Sequence, residues 1–260
     1  MADTKKTLIW FRNDLRLHDH PALRAAVDED ATVIPVYVHS PKSEKEWSRG
    51  GASNWWLHHA LQDLSSQLYK KGSQLILRSG KDPGEILNTL LKETGADTVY
   101  WNRRYEPEGI KIDTRIKKNL PAKSFPGDML WEPNKVKTQS GNPYKVFTPF
   151  YKSLQKMGEP PEPLPEPRNW KHPEKFPESE TLDNWDLLPE KDWDSAFPEH
   201  WDPTAKGAKK QMELFLDEAV ADYKSARDFP AKPGTSKLSP YLHFGQITAR
   251  TIWHEVGNDG

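Results

Sequence analysis

The sequence predicts an α/β fold, a parallel sheet with helices on both faces, followed by a long linker and the start of an all-α unit. Three observations lead there. Short aliphatic and β-branched runs alternate with amphipathic segments over the first 130 residues, the stretch 158–203 carries ten of the chain's 23 prolines, and helical periodicity returns after it. The strands are "KTLIWF" (6–11), "TVIPVYV" (32–38), "QLILR" (74–78) and "TVYW" (98–101). Their apolar residues stand at consecutive positions, as in strands covered on both faces. Between them, Leu57, Ala60, Leu61, Leu64 and Leu68 keep helical spacing over 53–71, with Ser53 as N-cap and Gly72 as stop. "PGEILNTLLKETG" (83–95) repeats the pattern. Strand, helix and strand in succession make a parallel sheet, and such sheets bind ligands beyond the carboxyl ends of their strands.

The linker follows from composition. Proline removes backbone donors, and a connection of this length belongs between packed units. It is expected to run over the surface, pinned by exposed Trp170, Trp185, Trp193 and Trp201. In the unit that follows, Met212, Phe215, Leu216, Ala219, Val220 and Tyr223 form a stripe predicted to be buried. The expected divisions are 1–130, 131–203 and 204–260.

Composition narrows the function. With no cysteine there is no disulfide, thiolate metal site or cysteine nucleophile, and a net charge of −1 excludes a wholly basic nucleic-acid binder. No apolar run reaches the ~20 residues of a membrane span, and "MADTKKTLIWF" lacks the pattern of a signal peptide. A cytoplasmic monomer with no membrane contact is expected. His18, Asp19 and His20 lack a third metal ligand and are expected at the solvated surface. His58 and His59 point in different directions along a helix, so no metal is predicted.

Near the end stands "GTSKLSPYLHFGQIT" (234–248). Thr235, Ser236 and Ser239 offer hydroxyls, Lys237 a cation, and Pro240 suits the first turn of a helix that carries Ile247, Ile252 and Trp253. Two readings stand: a phosphate cradle at a helix start, or a turn followed by a helix capped by Ser239.

"LIWFRNDLRLHDHPAL" (8–23), "YKSARDFPAKPGTSKLSPYLHFGQIT" (223–248) and the proline-rich linker between them resemble the photolyase and cryptochrome family over essentially the whole chain. The likeness is nearest to the class I cyclobutane pyrimidine dimer photolyases. It implies a Rossmann-like antenna domain followed by a helical FAD-binding domain that is cut short here, so that the fragment is expected to lack most of the flavin pocket, to be inactive alone and to hold its terminal helices poorly. It also implies that Tyr223, Thr235, Ser236, Lys237, Leu238 and Ser239 hold FAD and that Arg227 faces damaged DNA. Lys237 stands where relatives often carry arginine, keeping the charge without the bidentate fork.

The implied reaction is light-driven electron transfer from reduced FAD to a pyrimidine dimer, a carbon–carbon lyase chemistry with no side chain of this fragment as catalyst. The eleven tryptophans are assigned to packing. "WNRRYEPEGIKID" (101–113) follows the fourth strand, so Asn102 and Glu106 are antenna candidates, or else a helix cap and a first-turn acid. Glu108 and Gly109 depart from the folate-binding pattern, so that of a deazaflavin, a folate or a flavin as second chromophore the folate is the least supported, and an empty pocket is the remaining alternative. A cryptochrome-type photoreceptor and a plain nucleotide-binding α/β protein are the alternatives.

Overall fold

The computed structural model describes residues 5–43 and 48–258. Five parallel strands, β1 (Lys6–Phe11), β2 (Thr32–His39), β3 (Ile76–Ser79), β4 (Thr98–Asn102) and β5 (Ala122–Phe125), lie in the order β3-β2-β1-β4-β5. The sequence predicts four. The fifth, "AKSF", has no aliphatic run and is a strand because β4 pairs with it, Val99 against Ala122 through Asn102 against Phe125.

Side chains of β1 alternate between two apolar layers. Ile9 and Phe11 pack with α1 (Pro21–Asp28) and α2 (Gly51–Lys70). Leu8 and Trp10 pack with α3 (Pro83–Thr94) and α4 (Pro107–Asn119). Helices therefore cover both faces. α2 begins two residues before Ser53, with Gly50 as N-cap, which leaves Ser53 inside the first turn. Its end agrees with the sequence, since Gly72 takes a left-handed φ of 75° just beyond it.

The linker differs from the expectation. It carries α5 (Phe147–Gln155) and α6 (Phe197–His200), and part of it is built into the sheet. Lys171 O accepts from Val33 N at 2.9 Å, Ser179 Oγ from Leu77 N at 2.9 Å, and Leu77 O from Glu180 N at 2.9 Å. β3 is an edge strand, and these bonds satisfy backbone groups that would otherwise template pairing with another chain. Trp170 and Trp185 are therefore buried rather than exposed. Trp185 stacks on His39 with centroids 4.7 Å apart and donates to Glu180 Oε2 at 2.6 Å. Trp193 is exposed and Trp201 half-buried.

The terminal unit comprises α7 (Ala205–Glu218), α8 (Tyr223–Ala226), α9 (Ser239–His243) and α10 (Ala249–Asn258). Met212, Phe215 and Ala219 are buried, but Tyr223 sits on its own short helix, 39% exposed, and leaves the predicted stripe. The single helix expected from Pro240 is two. Gly245 breaks it at φ 65°, where a Cβ would lie 2.1 Å from Asn13 O. Only glycine permits that approach.

Ile247 is buried and Trp253 is exposed, in place of a shared open core. Leu238, Tyr241, Phe244 and Ile247 join the cluster that holds Trp55 and Trp56 of α2, so the sheet and the first part of the terminal unit share one apolar core. Gln246 fastens the junction. Its Oε1 accepts from Trp56 Nε1 at 2.8 Å and its Nε2 donates to Pro203 O at 2.7 Å.

Candidate functional site

The strand order reverses between β1 and β4, and in open α/β sheets the crevice beyond the carboxyl ends at such a point receives ligands. Here the chain's own polar groups fill it. Asn102, 3% exposed, accepts from Ala22 N at 2.9 Å and donates to Asp14 Oδ2 at 2.8 Å. Arg12 lies over the Trp10 ring at 4.5 Å and donates to Asp113 Oδ1 at 2.6 Å and to Asn102 O at 2.5 Å.

Burial alone would raise the Asp14 carboxyl, but the His20 imidazole at 3.1 Å, Arg16 and the Arg12 amide together hold it at about 2. The remaining cavity beside the ends of β1 and β2 is about 30 Å³, lined by Trp10, Arg12, Tyr37, Ser40, Arg49 and Arg104. That volume holds about one water molecule.

A second buried constellation joins distant parts of the chain. Asp19 accepts from Thr248 Oγ1 at 2.6 Å, from Arg250 Nε at 3.1 Å and Arg250 Nη2 at 2.9 Å, and from Leu164 N at 3.1 Å. Arg16, with no exposure, donates to Gly245 O at 2.8 Å and to Asp19 O at 2.9 Å. His20 caps α1, its Nδ1 accepting from Leu23 N at 3.1 Å. The expected solvated surface around residues 18–20 is therefore an interior, and burial together with Arg16 pushes His18 down to about 4.

Of this buried network the sequence singled out only Asp19 and His20, as part of a discounted metal group at the surface, and none of the bonds that Arg16, Thr248 and Arg250 make. The available signal was the density of charge in "FRNDLRLHDH" directly after a strand's carboxyl end. Among the described residues, no three His, Asp or Glu side chains gather as a metal site.

The segment 235–239 lies at the surface. Thr235, Lys237 and Ser239 are exposed, Ser236 is half-buried, and Leu238 is fixed in the core. Lys237 takes a left-handed backbone with φ 52°, and Gln211 Nε2 donates to Ser236 O at 3.0 Å. Leu238, not Ser239, occupies the N-cap of α9, and no side chain caps that end. Gly234 seats the segment on α8, since a Cβ there would lie 2.5 Å from Ala226 Cβ.

Tyr223 and Arg227 flank that seat. The Arg227 guanidinium lies 5.7 Å from the Tyr223 ring centroid, and that ring meets Phe215 edge-on at 5.7 Å. The contact of Gly234 with Ala226 joins the 235–239 segment to the helix that begins at Tyr223; Thr235, Lys237 and Ser239 are exposed, with hydroxyls and an ammonium that suit diphosphate oxygens, whereas Ser236 Oγ accepts from Leu238 N at 3.4 Å and Leu238 is buried. The antenna pair is not joined in this way. Asn102 is committed internally, whereas Glu106 is exposed at the N-cap of α4, paired with Arg104. Beside it, burial and Glu132 push the Tyr105 hydroxyl up to about 12.

A Rossmann-ordered sheet joined through a proline-rich strap to helices that present a hydroxyl and lysine segment defines a class of two-part α/β proteins with a surface suited to a phosphorylated cofactor. The family model described as DNA photolyase matches residues 7–168, and the chain belongs to that family. It is similar to a deoxyribodipyrimidine photo-lyase of Agrobacterium fabrum, 46% identical over 257 residues, covering 96% of this chain and 53% of that protein. Cryptochrome-2 of Arabidopsis thaliana is 31% identical over 267 residues, 97% of this chain and 43% of that one. The crystal structure of a bacterial class III photolyase from Agrobacterium tumefaciens superposes with a TM-score of 0.90 at 45% identity, covering 98% of this chain and 53% of that one. The chain spans about half the length of these relatives. The last match belongs to class III, whereas the motifs suggested class I.

Proposed function

We propose that the chain is the amino-terminal part of a light-driven flavoprotein that splits cyclobutane pyrimidine dimers in DNA. The observation that carries this reading is the 235–239 segment seated by Gly234 beside Tyr223, in a chain of the photolyase family. Thr235, Ser236, Lys237 and Ser239 bind the diphosphate of FAD, Leu238 anchors the segment, Tyr223 lies along the cofactor, and Arg227 faces the damaged strand. Bound FAD supplies the light-driven electron, and the protein supplies position and the exclusion of water. An extruded dimer costs less to unstack than an intact pair.

A second chromophore, a deazaflavin, a folate or a flavin, has Glu106 as its exposed contact, with Asn102 acting through the Asp14 that it holds. The 30 Å³ cavity beside them must open to admit it. The cryptochrome-type reading is favoured by one observation, the 31% identity to a plant cryptochrome. The test is an absorption spectrum of the 260-residue chain with added FAD, beside the same chain extended by the carboxy-terminal half of the Agrobacterium fabrum relative. The expected result is flavin held by the longer chain alone, with dimer cleavage under blue light. Flavin held without cleavage selects the photoreceptor, and no flavin in either overturns both.

A further inference from the structure

The surface around α5 has a chemistry unlike the rest of the molecule. Between residues 133 and 158 stand five lysines and not one Asp or Glu, in a chain whose 37 basic and 38 acidic residues otherwise intermingle. Lys135, Lys137, Lys145, Lys152 and Lys156 are all exposed, and none is in an ion pair among the described residues. Elsewhere lysines alternate with carboxylates along the chain and several pair with them, as Lys5 does with Glu29, Lys71 with Glu166 and Lys171 with Asp30.

The same stretch exposes aromatic faces. Phe147 is 72% and Tyr151 49% exposed, one helical turn apart, with ring centroids 5.6 Å apart and planes 16° from parallel. Val146 adds 63% exposure beside them, and no residue of α5 is buried. Phe150 and Leu154 are half-buried, so the open side of the helix is that of Phe147 and Tyr151, and covering it would stabilise a helix with no fully buried residue. An apolar protein partner would answer the rings and leave five lysines facing it without carboxylates.

We infer that α5 and its flanks bind an unpaired stretch of a nucleic-acid strand, bases stacking on Phe147 and Tyr151 while Lys145, Lys152 and Lys156 meet the phosphates. Aromatic platforms bordered by cations are the arrangement that holds single strands without reading sequence. The overall charge of −1 does not oppose this, because the attraction acts locally within about 10 Å at 0.1 M salt. The surface belongs to a different element from the 235–239 segment and Arg227, and its occupation requires neither flavin nor light.

The test is fluorescence titration of the 260-residue chain, in the dark and without FAD, with a labelled 16-nucleotide single strand over a range of salt. The expected result is salt-dependent binding. Phe147→Ala with Tyr151→Ala weakens it about tenfold or more. Lys145→Gln with Lys152→Gln lowers the slope of log affinity against log salt by about 1.4, the value for two lost phosphate contacts on a single strand. Tyr69→Ala, removing an 81% exposed ring on α2, changes nothing.

Equal affinity in all variants, or no binding by the parent chain, overturns the inference. So does loss of self-association in the ring variants without change in oligonucleotide affinity, which would make the face an interface between copies. So does loss of binding to the carboxy-terminal half of the Agrobacterium fabrum relative, again with oligonucleotide affinity unchanged. None of these outcomes bears on flavin binding, so the proposed function is judged separately.

Discussion

His18 shows how a single side chain couples this fold to pH. Its pKa falls from the ordinary 6.5 to about 4, first because burial penalises the imidazolium and then because Arg16 stands close. The folded state thus binds fewer protons than the unfolded chain between these values. The stability contributed is fully present above pH 6.5 and lost as pH falls towards 4, up to about 3 kcal/mol before allowance for residual solvent. Urea midpoints should fall between pH 7 and 5, and His18→Gln should flatten that fall. Asp19 is the costlier residue to alter. Asp19→Ala strands the Arg250 guanidinium, which is 10% exposed, and should destabilise by about 3–5 kcal/mol in urea unfolding. These residues were legible as polar and not as buried. Local sequence carries charge, but burial is set by Leu164, Gly245, Thr248 and Arg250, which arrive from more than a hundred residues away.

Among the elements, the strap from Trp170 to Trp185 does more than connect. It occupies the edge of β3, and its tryptophans are core side chains. Trp185→Ala should cost about 3–5 kcal/mol in thermal or urea unfolding, and the loosened strap should make the chain prone to self-association by size-exclusion chromatography. Gly245→Ala should also be severe, since both φ and the contact with Asn13 O exclude a Cβ. Four strands and the helices on both faces were readable because their apolar spacing is local. β5 was not, because "AKSF" is a strand through its pairing with β4. The strap was misread for a related reason. Proline richness marks irregular backbone, which is correct here, but irregular backbone can still be bonded to an edge strand.

At the scale of the whole molecule, protease sensitivity should not follow the expected division at residue 130. Residues 238–248 share a core with α2, whereas α5 and its flanks have no buried helical face. Brief chymotrypsin digestion should therefore cut first among Tyr144, Phe147, Phe150 and Tyr151 and leave Tyr241 and Phe244, in the segment from Leu238 to Thr248, protected. Early cleavage there, with α5 intact, would contradict the shared core. The residues of the proposed cofactor segment were legible because a family motif names them, and the exposure of Thr235, Lys237 and Ser239 goes with the burial of Gly234 and Leu238 between them.

The bonds from Asp19 to Thr248 and Arg250 span 229 and 231 residues of chain. A ribosome has therefore released all of the chain between them before the first strand-to-helix turn can close on these partners. Until then Asp19 is an acid next to an unfinished interior, and contacts of such sequence separation form late and slowly. For this protein the turn made first in synthesis should become native only after residue 250 has emerged, and nascent chains that end before residue 248 should be the ones that need a chaperone.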